Sequence, residues 1–272
     1  MDKLILSPLS ALLAVVSSAP AAGTDLVASP LAGATWQVVS IDGQAVEPPH
    51  SDDDRARLPQ FTFGYRTYGG NAGCNALGGY YAQVDERLYT MPGPQTAMGC
   101  GGARAAQETA ANAIFHASPA VTREDDTVRL KGGGHTMELR RIAAAEHADD
   151  PAAWQAPSVA GQSYVVHAVN GLRTDGKALW GTTPPEIRFG DTKVTMQLDC
   201  PGTATGGYNL NTEFVIIDGL APACSTAGTR DAALAAILNG DPRTVSGPNG
   251  ELLLAGRTGW AILWNERRDR PK

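Results

Sequence analysis

The sequence predicts a chain of two repeated units, each built from short β-strands and one α-helix. Three observations support this prediction. Apolar residues alternate with polar ones in short runs, and the 31 glycines and 18 prolines of the 272 residues supply turns between them. The runs of the first half recur in the same order in the second half. Each half also contains one alanine-rich segment with a helical apolar pattern.

The first unit is predicted to begin with a strand in residues 31–43. Trp36 and Val38 alternate with polar neighbours there, and Asp42-Gly43 is a hairpin turn signal. A predicted hairpin around Glu86-Arg87 follows later. The apolar face of the predicted helix contains Ala106, Ala110, Ala113, Ile114 and Phe115. The other elements are strands at 61–63, 80–85, 88–91, 127–130 and 136–142, and the helix spans 103–116.

The second unit repeats this order. Residues 159–171 resemble residues 31–43, which lie 128 positions earlier, and residues 185–190 resemble residues 59–64. The triplet Gly206-Gly207-Tyr208 matches Gly78-Gly79-Tyr80, again with an offset of 128. A helix is predicted at 232–238, and strands at 252–254 and 260–264. Residues 144–157 are acidic and rich in Ala and Pro, so they are predicted to be a linker between domains at 30–143 and 158–266.

The first 21 residues have the features of a secretory signal peptide. Lys3 precedes an apolar stretch at residues 4–16, and Ala19-Pro20-Ala21 fits a cleavage site. The stretch is shorter than the roughly 20 residues that span a membrane. We therefore expect residues 1–21 to be removed and the protein to be periplasmic or secreted. The alternative is a frayed apolar terminus of a cytoplasmic protein.

Charge and motif content exclude several classes of function. A net charge of −6 disfavours nucleic acid as a partner, because nucleic-acid binding needs a basic face. No C-x-x-C motif occurs, and no His lies near a Cys at zinc-ligand spacing, so neither a metal nor a cofactor is predicted. The acidic run Asp52-Asp53-Asp54 is interpreted as a solvated loop. We also predict no transmembrane segment and a monomer.

The four cysteines form an even set, as exported disulfide proteins have. Four cysteines allow three pairings. A duplicated unit should keep a bond within itself, which predicts Cys74–Cys100 and Cys200–Cys224. Each pair would link the segment before a Gly-Gly-Tyr triplet to the segment before a helix. Four buried free thiols are the alternative.

Several motifs of the first unit resemble the META domain, or HslJ-like, family. They are Gly73-Cys74-Asn75, then Gly79-Tyr80, then Thr96-x-Met98-x-Cys100, and finally Glu108, taken as an acidic residue that opens the helix. The resemblance implies an α+β fold, in which each of two tandem domains is a curved antiparallel sheet packed on one helix. It also implies an envelope or secreted location and an association with heat shock and stress. It implies no catalytic residues.

The second unit departs from this pattern. Asp199-Cys200-Pro201 stands where the first unit has Gly-Cys-Asn, and the segment before Cys224 lacks the Thr and Met. We interpret this unit as a divergent copy.

The glycine-rich stretch at 69–80 is interpreted as a structural loop between strands. It lacks the Lys-Ser/Thr ending of a phosphate-binding loop, and a strand rather than a helix is predicted after it. Its glycines are expected to allow positive φ and close backbone approach, and Asn71 and Asn75 to tolerate a left-handed conformation.

A catalytic thiol is weighed against this structural interpretation. A nucleophilic cysteine needs a base, but the five histidines do not repeat between the units. A Cys–His dyad between distant segments stays open. Core packing is the first interpretation of the strand aromatics Trp36, Tyr164, Trp260 and Trp264, and an apolar ligand held by them stays open as well. We therefore predict no enzyme, and a non-catalytic exported protein that serves envelope integrity or stress tolerance through binding an unknown protein or small apolar ligand. The alternatives are a secreted inhibitor or a small apolar ligand carrier and, less favoured, a thiol-dependent enzyme.

Overall fold

The computed structural model describes residues 29–46, 58–145, 158–170, 172–173, 185–197, 202–210, 215–218 and 229–265. The predicted signal peptide, Cys200, Cys224 and residues 146–157 of the predicted linker lie outside these ranges. The described residues form two antiparallel, barrel-like sheets with two helices. None of the helices in these ranges is both long and apolar enough to cross a membrane.

The first sheet closes on itself. Its order is β2-β1-β3-β4-β5-β6-β7-β8-β9, and β1 also pairs with β9. Helix α1 buries Ala110, Ala111, Ile114 and Phe115 against the sheet. The elements are β1 (Ala34–Ile41), β2 (Gln44–Ala45), β3 (Gln60–Phe63), β4 (Thr67–Asn71), β5 (Ala76–Val84), β6 (Arg87–Pro92), α1 (Gly102–His116), β7 (Ala120–Glu124), β8 (Thr127–Gly132) and β9 (His135–Ala144).

Aromatic side chains fill the core of the first sheet. Trp36 is buried, and its indole N–H donates to the carbonyl of Leu31 at 3.0 Å, so its one polar group is satisfied. Phe61 packs edge-on against Phe115 of α1, with ring centroids 5.0 Å apart. The sequence alternation of β1 is reproduced as alternating burial. The strand-and-helix core of this unit is therefore confirmed.

The second sheet has the order β15-β14-β13-β12-β10-β18-β17-β16, and β11 pairs with β10. Its core contains Tyr164, Phe189 and the buried residues of α2. The elements are β10 (Ser163–Val169), β11 (Leu172–Arg173), β12 (Glu186–Phe189), β13 (Lys193–Gln197), β14 (Thr203–Leu210), β15 (Val215–Asp218), α2 (Thr229–Leu238), β16 (Arg243–Ser246), β17 (Leu252–Gly256) and β18 (Gly259–Asn265).

The two sheets repeat one succession of elements: six strands, a helix and three strands. β1 lies between β3 and β9, and β10 lies between β12 and β18. Both first strands have the same irregularity, because Val39 and His167 are each the extra residue of a β-bulge. These two positions lie 128 residues apart, which is the offset of the sequence repeat.

Strand register corrects the alignment of the Gly-Gly-Tyr triplets. Tyr68 pairs with Gly79 in the first sheet, and the equivalent Val194 pairs with Gly206, so the offset here is 127. Tyr208 therefore corresponds to Tyr81 rather than to Tyr80. The contacts agree, since the Tyr81 hydroxyl donates to the Gly64 carbonyl at 2.7 Å and the Tyr208 hydroxyl to the Gly190 carbonyl at 2.5 Å.

The glycine-rich stretch forms strands where a loop was expected. Gly69 and Gly70 lie in β4, Gly78 and Gly79 lie in β5, and only residues 72–75 connect the strands. Within the stretch only Gly73 has a positive φ, of 117°, so the left-handed conformation expected for Asn71 and Asn75 is wrong. The expected close backbone approach is correct. A methyl group on Gly79 would meet the carbonyl oxygen of Met91 on β6.

The predicted apolar face of α1 also needs correction. Ala106 is exposed and Ala113 only partly buried, whereas Ala111 is fully buried. The buried face is thus rotated toward Ala111 relative to the predicted one. Alanine is equally common on both faces of this helix, so its small side chain gives little information about which face is buried.

The two sheets pack against each other through one apolar cluster. Strands β5 and β6 contribute Ala82, Tyr89 and Met91, and the facing strands contribute six buried residues, namely Ala168, Val245, Leu253, Ala255, Trp260 and Ile262. Two polar contacts flank this cluster. Buried Arg66 donates from Nη1 to the Thr244 carbonyl at 3.1 Å, and exposed Arg257 pairs with Asp85 at 3.1 Å. The two units therefore form one packed body.

Candidate functional site

The motif residues of the first unit converge on the side chain of Asn75. Its Oδ1 accepts hydrogen bonds from the Thr96 hydroxyl at 3.0 Å and from the Met98 backbone N–H at 2.6 Å. Its Nδ2 donates to the Met98 carbonyl at 3.1 Å and to the Glu108 carboxylate at 3.0 Å. One buried amide thus joins the β4–β5 connection, the segment before α1 and α1 itself.

Glu108 is the helix residue on which this network ends. It lies in the second turn of α1, which begins at Gly102, so the prediction that it opens the helix is wrong. Its carboxylate also accepts from the Asn75 backbone N–H at 3.2 Å. A carboxylate held by two donors of one residue fixes the helix to the connection, because each hydrogen bond to a charged acceptor is strong.

Only the backbone of Met98 takes part in this network. Its side chain is 57% exposed, and nothing in the structure explains why methionine stands at this position. Thr96 contributes its hydroxyl, which also accepts from the Ala76 N–H at 2.9 Å. Gly73 supplies the positive φ that turns the chain into Cys74.

The disulfide Cys74–Cys100 is present, as predicted, and its Cα atoms lie 6.3 Å apart. It links the same two segments as Asn75 does. The potential ligand atoms of Cys74, Cys100 and Glu108 lie within 4.8 Å of one another. They do not form a metal site, because both sulfurs are in the disulfide and the carboxylate accepts from Asn75. The predicted Cys200–Cys224 bond lies outside the described residues.

A hollow of about 640 Å³ lies beside this disulfide, and polar side chains such as Thr62, Asn71 and Arg104 form part of its lining. Cys74 and Cys100 are part of this lining. Neither offers a free thiol, because the two sulfurs are bonded to each other. The described residues that line this hollow include no histidine, aspartate, glutamate or lysine that could act as a base toward a nucleophile.

A second hollow, of about 350 Å³, lies between the two sheets and is called the cleft here. Its first wall includes Tyr80, Met91 and Pro92, and its second wall includes Trp260, Ile262 and Trp264. Met91, Trp260 and Ile262 also belong to the apolar cluster that joins the sheets. Both walls therefore contain apolar residues of this cluster, and the volume of the cleft is within the range of small-ligand pockets.

The β-bulge in β10 contains His167, which lines the cleft together with Trp264. His167 is the extra residue of this bulge, and its ring stacks on Trp264 with centroids 3.8 Å apart and planes within 11°. Trp264 is 40% exposed, so the stack forms a flat surface that water can reach. His116, at the end of α1, is another residue of the lining.

The structure separates the predicted aromatic set. Trp36 and Tyr164 lie in the two cores, as core packing predicted, whereas Trp260 and Trp264 line the cleft. Tyr80, predicted as a structural motif residue, lines the cleft too. Sequence reasoning missed Glu251, Met91 and His116 as cleft residues. The sequence does contain one signal that the second unit is covered by another surface. It is the continuous apolar run at 252–254, which is typical of a strand buried on both faces.

The first unit is therefore an antiparallel β unit in which a disulfide and a buried amide fix one helix to the sheet. The META domain family model matches residues 29–144, which cover this unit and not the second. The comparison with curated proteins gives no match.

Two solved structures are also similar. One is the NMR structure of a protein from Burkholderia xenovorans, with 24% sequence identity and a TM-score of 0.32, covering 51% of this chain and 99% of that chain. The other is an NMR structure with 20% identity and a TM-score of 0.31, covering 42% of this chain and 93% of that chain. Neither description states an activity.

Proposed function

We propose that the protein is a non-catalytic exported binding protein, and that its second unit is a divergent copy of the META domain. The shared succession of strands and helix supports the second statement, as do the equivalent bulges at Val39 and His167. The family match to residues 29–144 supports a non-catalytic role for the first unit.

The cleft is the observation that carries the binding role. Packing the two sheets together leaves a mostly apolar hollow at their contact, with two tryptophans in its wall. Pockets at domain contacts with apolar walls and a few polar groups are the usual sites for small molecules. Of the predicted alternatives, a carrier of a small apolar ligand is the one that this geometry favours.

The chemistry of the motif cluster also supports binding over catalysis. Cys74 is in a disulfide, and the polar groups of Asn75, Thr96 and Glu108 are hydrogen-bonded to one another. Such groups are positioned to stabilise the fold rather than to react. The histidines of the cleft have no cysteine beside them among the described residues that line it, so a Cys–His dyad has no place there.

Native mass spectrometry of the mature protein tests the ligand-carrier role. The protein exported from its host should show an additional bound mass, which Trp264→Ala reduces because it removes one wall of the cleft. The matched control is Trp36→Phe, which changes a tryptophan of the first core instead. A bound mass that persists in Trp264→Ala, or no bound mass under any condition, contradicts the proposal.

The cellular role that we propose is envelope integrity or stress tolerance, in the periplasm or outside the cell. It rests on the family resemblance and on the predicted signal peptide at residues 1–21. A deletion strain should be more sensitive to heat and to envelope-directed drugs, and the wild-type gene should restore tolerance. A deletion strain identical to wild type under both challenges contradicts this role.

A further inference from the structure

We propose that the cleft selects a small organic cation with a flat apolar body. This inference rests on the proposed binding function and specifies its ligand class. The observation that carries it is that aromatic side chains and one carboxylate, that of Glu251, occur together among the described residues that line the cleft.

The charge around the cleft favours a cation. Glu251 lines it, and none of the described residues that line it is a lysine or an arginine. The whole chain has a net charge of −6, so the long-range field also attracts cations. An anionic ligand would meet the Glu251 carboxylate, and the described residues of the lining offer it no lysine or arginine.

Glu251 is held in place by its own turn. Its Oε2 accepts from the Asn249 backbone N–H at 3.0 Å, and its Oε1 accepts from the Asn249 side chain at 2.9 Å. Both bonds come from the neutral residue Asn249, so neither donor brings a positive charge to the carboxylate. A fixed carboxylate in the lining of a hollow attracts a cation without the entropic cost of ordering a mobile side chain.

The aromatic side chains supply the second part of the recognition. The faces of Trp and Tyr rings attract cations through their quadrupoles, and Trp does so most strongly. Trp260 is nearly buried, at 8% exposure, whereas Trp264 is 40% exposed, so the lining offers one aromatic residue at depth and one toward solvent. The flat stack of Trp264 on His167 matches a planar ring system better than a branched aliphatic one.

Two histidines, His116 and His167, also line the cleft, and a protonated imidazole there would oppose a bound cation. Binding is therefore measured at pH 8, where an imidazole of ordinary pKa is neutral.

The test compares three two-ring probes of similar size: 1-methylquinolinium, the neutral 1-methylnaphthalene, and the anion 1-naphthoate. Each is titrated into the mature protein by calorimetry and by quenching of tryptophan fluorescence. We expect the cation to bind about tenfold more tightly than the neutral probe, which corresponds to about 1.4 kcal/mol. The anion should bind most weakly.

Variants assign this preference to the cleft. Glu251→Gln keeps an acceptor for Asn249 and should bring the affinity for the cation close to that for the neutral probe. Glu124→Gln removes an equal charge from an exposed hairpin end that does not line the cleft, and should change neither affinity. Trp264→Ala should lower the affinity for the cationic probe and for the neutral probe. Thermal melting of each variant confirms that it is folded.

The outcomes separate the two proposals. Equal affinity for the cation and the neutral probe, with no effect of Glu251→Gln, overturns the cation inference and leaves the binding function intact. A loss of cation binding in Glu124→Gln as large as in Glu251→Gln overturns it as well, because net charge then explains the preference. Failure of all three probes to bind contradicts both the inference and the proposed cleft.

Discussion

At the scale of single residues, Asn75 explains why the sequence motif of the first unit has its particular composition. An amide side chain offers both acceptors and donors, so it bonds the Thr96 hydroxyl, the Met98 backbone and the Glu108 carboxylate at once. The sequence predicted that these residues matter together. It did not predict how, because the partners are 21 to 33 positions away and only the fold brings them into contact.

Replacing Asn75 should be costly. Asn75→Ala removes the side-chain partner of the Met98 N–H and of the partly buried Glu108 carboxylate, which keeps only its bond to the backbone N–H of residue 75, so we expect a loss of about 1–3 kcal/mol in the free energy of unfolding. Denaturant unfolding measures it. Asn112→Ala is the matched control, because the exposed hydrogen bond of Asn112 to Gln95 should be worth less than about 1 kcal/mol. Equal effects of the two substitutions would show that the network does not stabilise the unit.

A second residue-scale prediction concerns pH. The His135 side chain donates to Asp42 Oδ2 at 2.7 Å, and with the Thr136 N–H at 2.8 Å it holds the pKa of Asp42 below its ordinary value. A lowered pKa stabilises the fold above the ordinary pKa of about 3.9, and this contribution is lost as the pH falls through the folded-state value.

Asp42→Asn therefore should destabilise the protein near pH 6 and have little effect below pH 3. The difference should stay under about 1 kcal/mol, since the side chain is 45% exposed. The backbone is unaffected, because Asn also tolerates the φ of 53° at this position. Unfolding curves of the unmutated protein and of Asp42→Asn from pH 3 to pH 7 measure this difference in the free energy of unfolding. A difference that grows toward low pH contradicts the assignment.

At the scale of elements, alternating and aromatic strands were predicted well and glycine-rich strands were not. Strand β1 and the β5–β6 hairpin follow their apolar alternation and turn signals. The sequence predicts a loop where β4 lies, because glycines have low strand propensity and no side chains to pack. Close backbone approach requires glycine at two positions here, namely Gly70 of β4, which faces the backbone of β3, and Gly78 of β5, which faces the Tyr68 carbonyl of β4.

Two neighbouring glycines of β4 test this explanation. A methyl group on Gly70 would meet the Gln60 carbonyl oxygen and the Phe61 Cα atom on β3, so Gly70→Ala should lower the free energy of unfolding by about 2–4 kcal/mol. A methyl group on Gly69 meets nothing within 4 Å, so Gly69→Ala should change it by no more than about 1 kcal/mol. Thermal or denaturant unfolding of the two variants measures these changes. Similar losses of stability in Gly70→Ala and Gly69→Ala would show that strand propensity, rather than backbone contact, determines the effect.

At the scale of the whole molecule, the contact between the sheets was the least predictable feature. The composition of residues 144–157 predicts a linker between two domains, but the apolar residues that join the units lie on strands. The continuous buried runs of β17 and β18 are the trace of this contact in the sequence, because a strand covered on one face only would alternate. Which surface covers the second face cannot be read from such a run, since periodicity carries no information about the partner.

Cutting the chain between the units tests their contact. After cleavage at a protease site introduced between residues 146 and 157, the two fragments should stay together in size-exclusion chromatography. Leu253→Ala, in the contact cluster, should promote their dissociation. The neighbouring Leu254→Ala, in the core of the second sheet, should lower stability without separating folded fragments. Separation of the unmutated fragments would contradict the packed body.

The cleft at this contact is the centre of the functional account, and the indole N–H signals of the five tryptophans report on it directly. In ¹⁵N–¹H spectra of the mature protein, assigned through single Trp→Phe variants, 1-methylquinolinium should shift the signals of Trp260 and Trp264. The signal of Trp36, which lies in the core of the first sheet, should stay in place. Shifts at Trp36 without shifts at Trp260 and Trp264, or no shift at any of the five, would contradict ligand binding in the cleft.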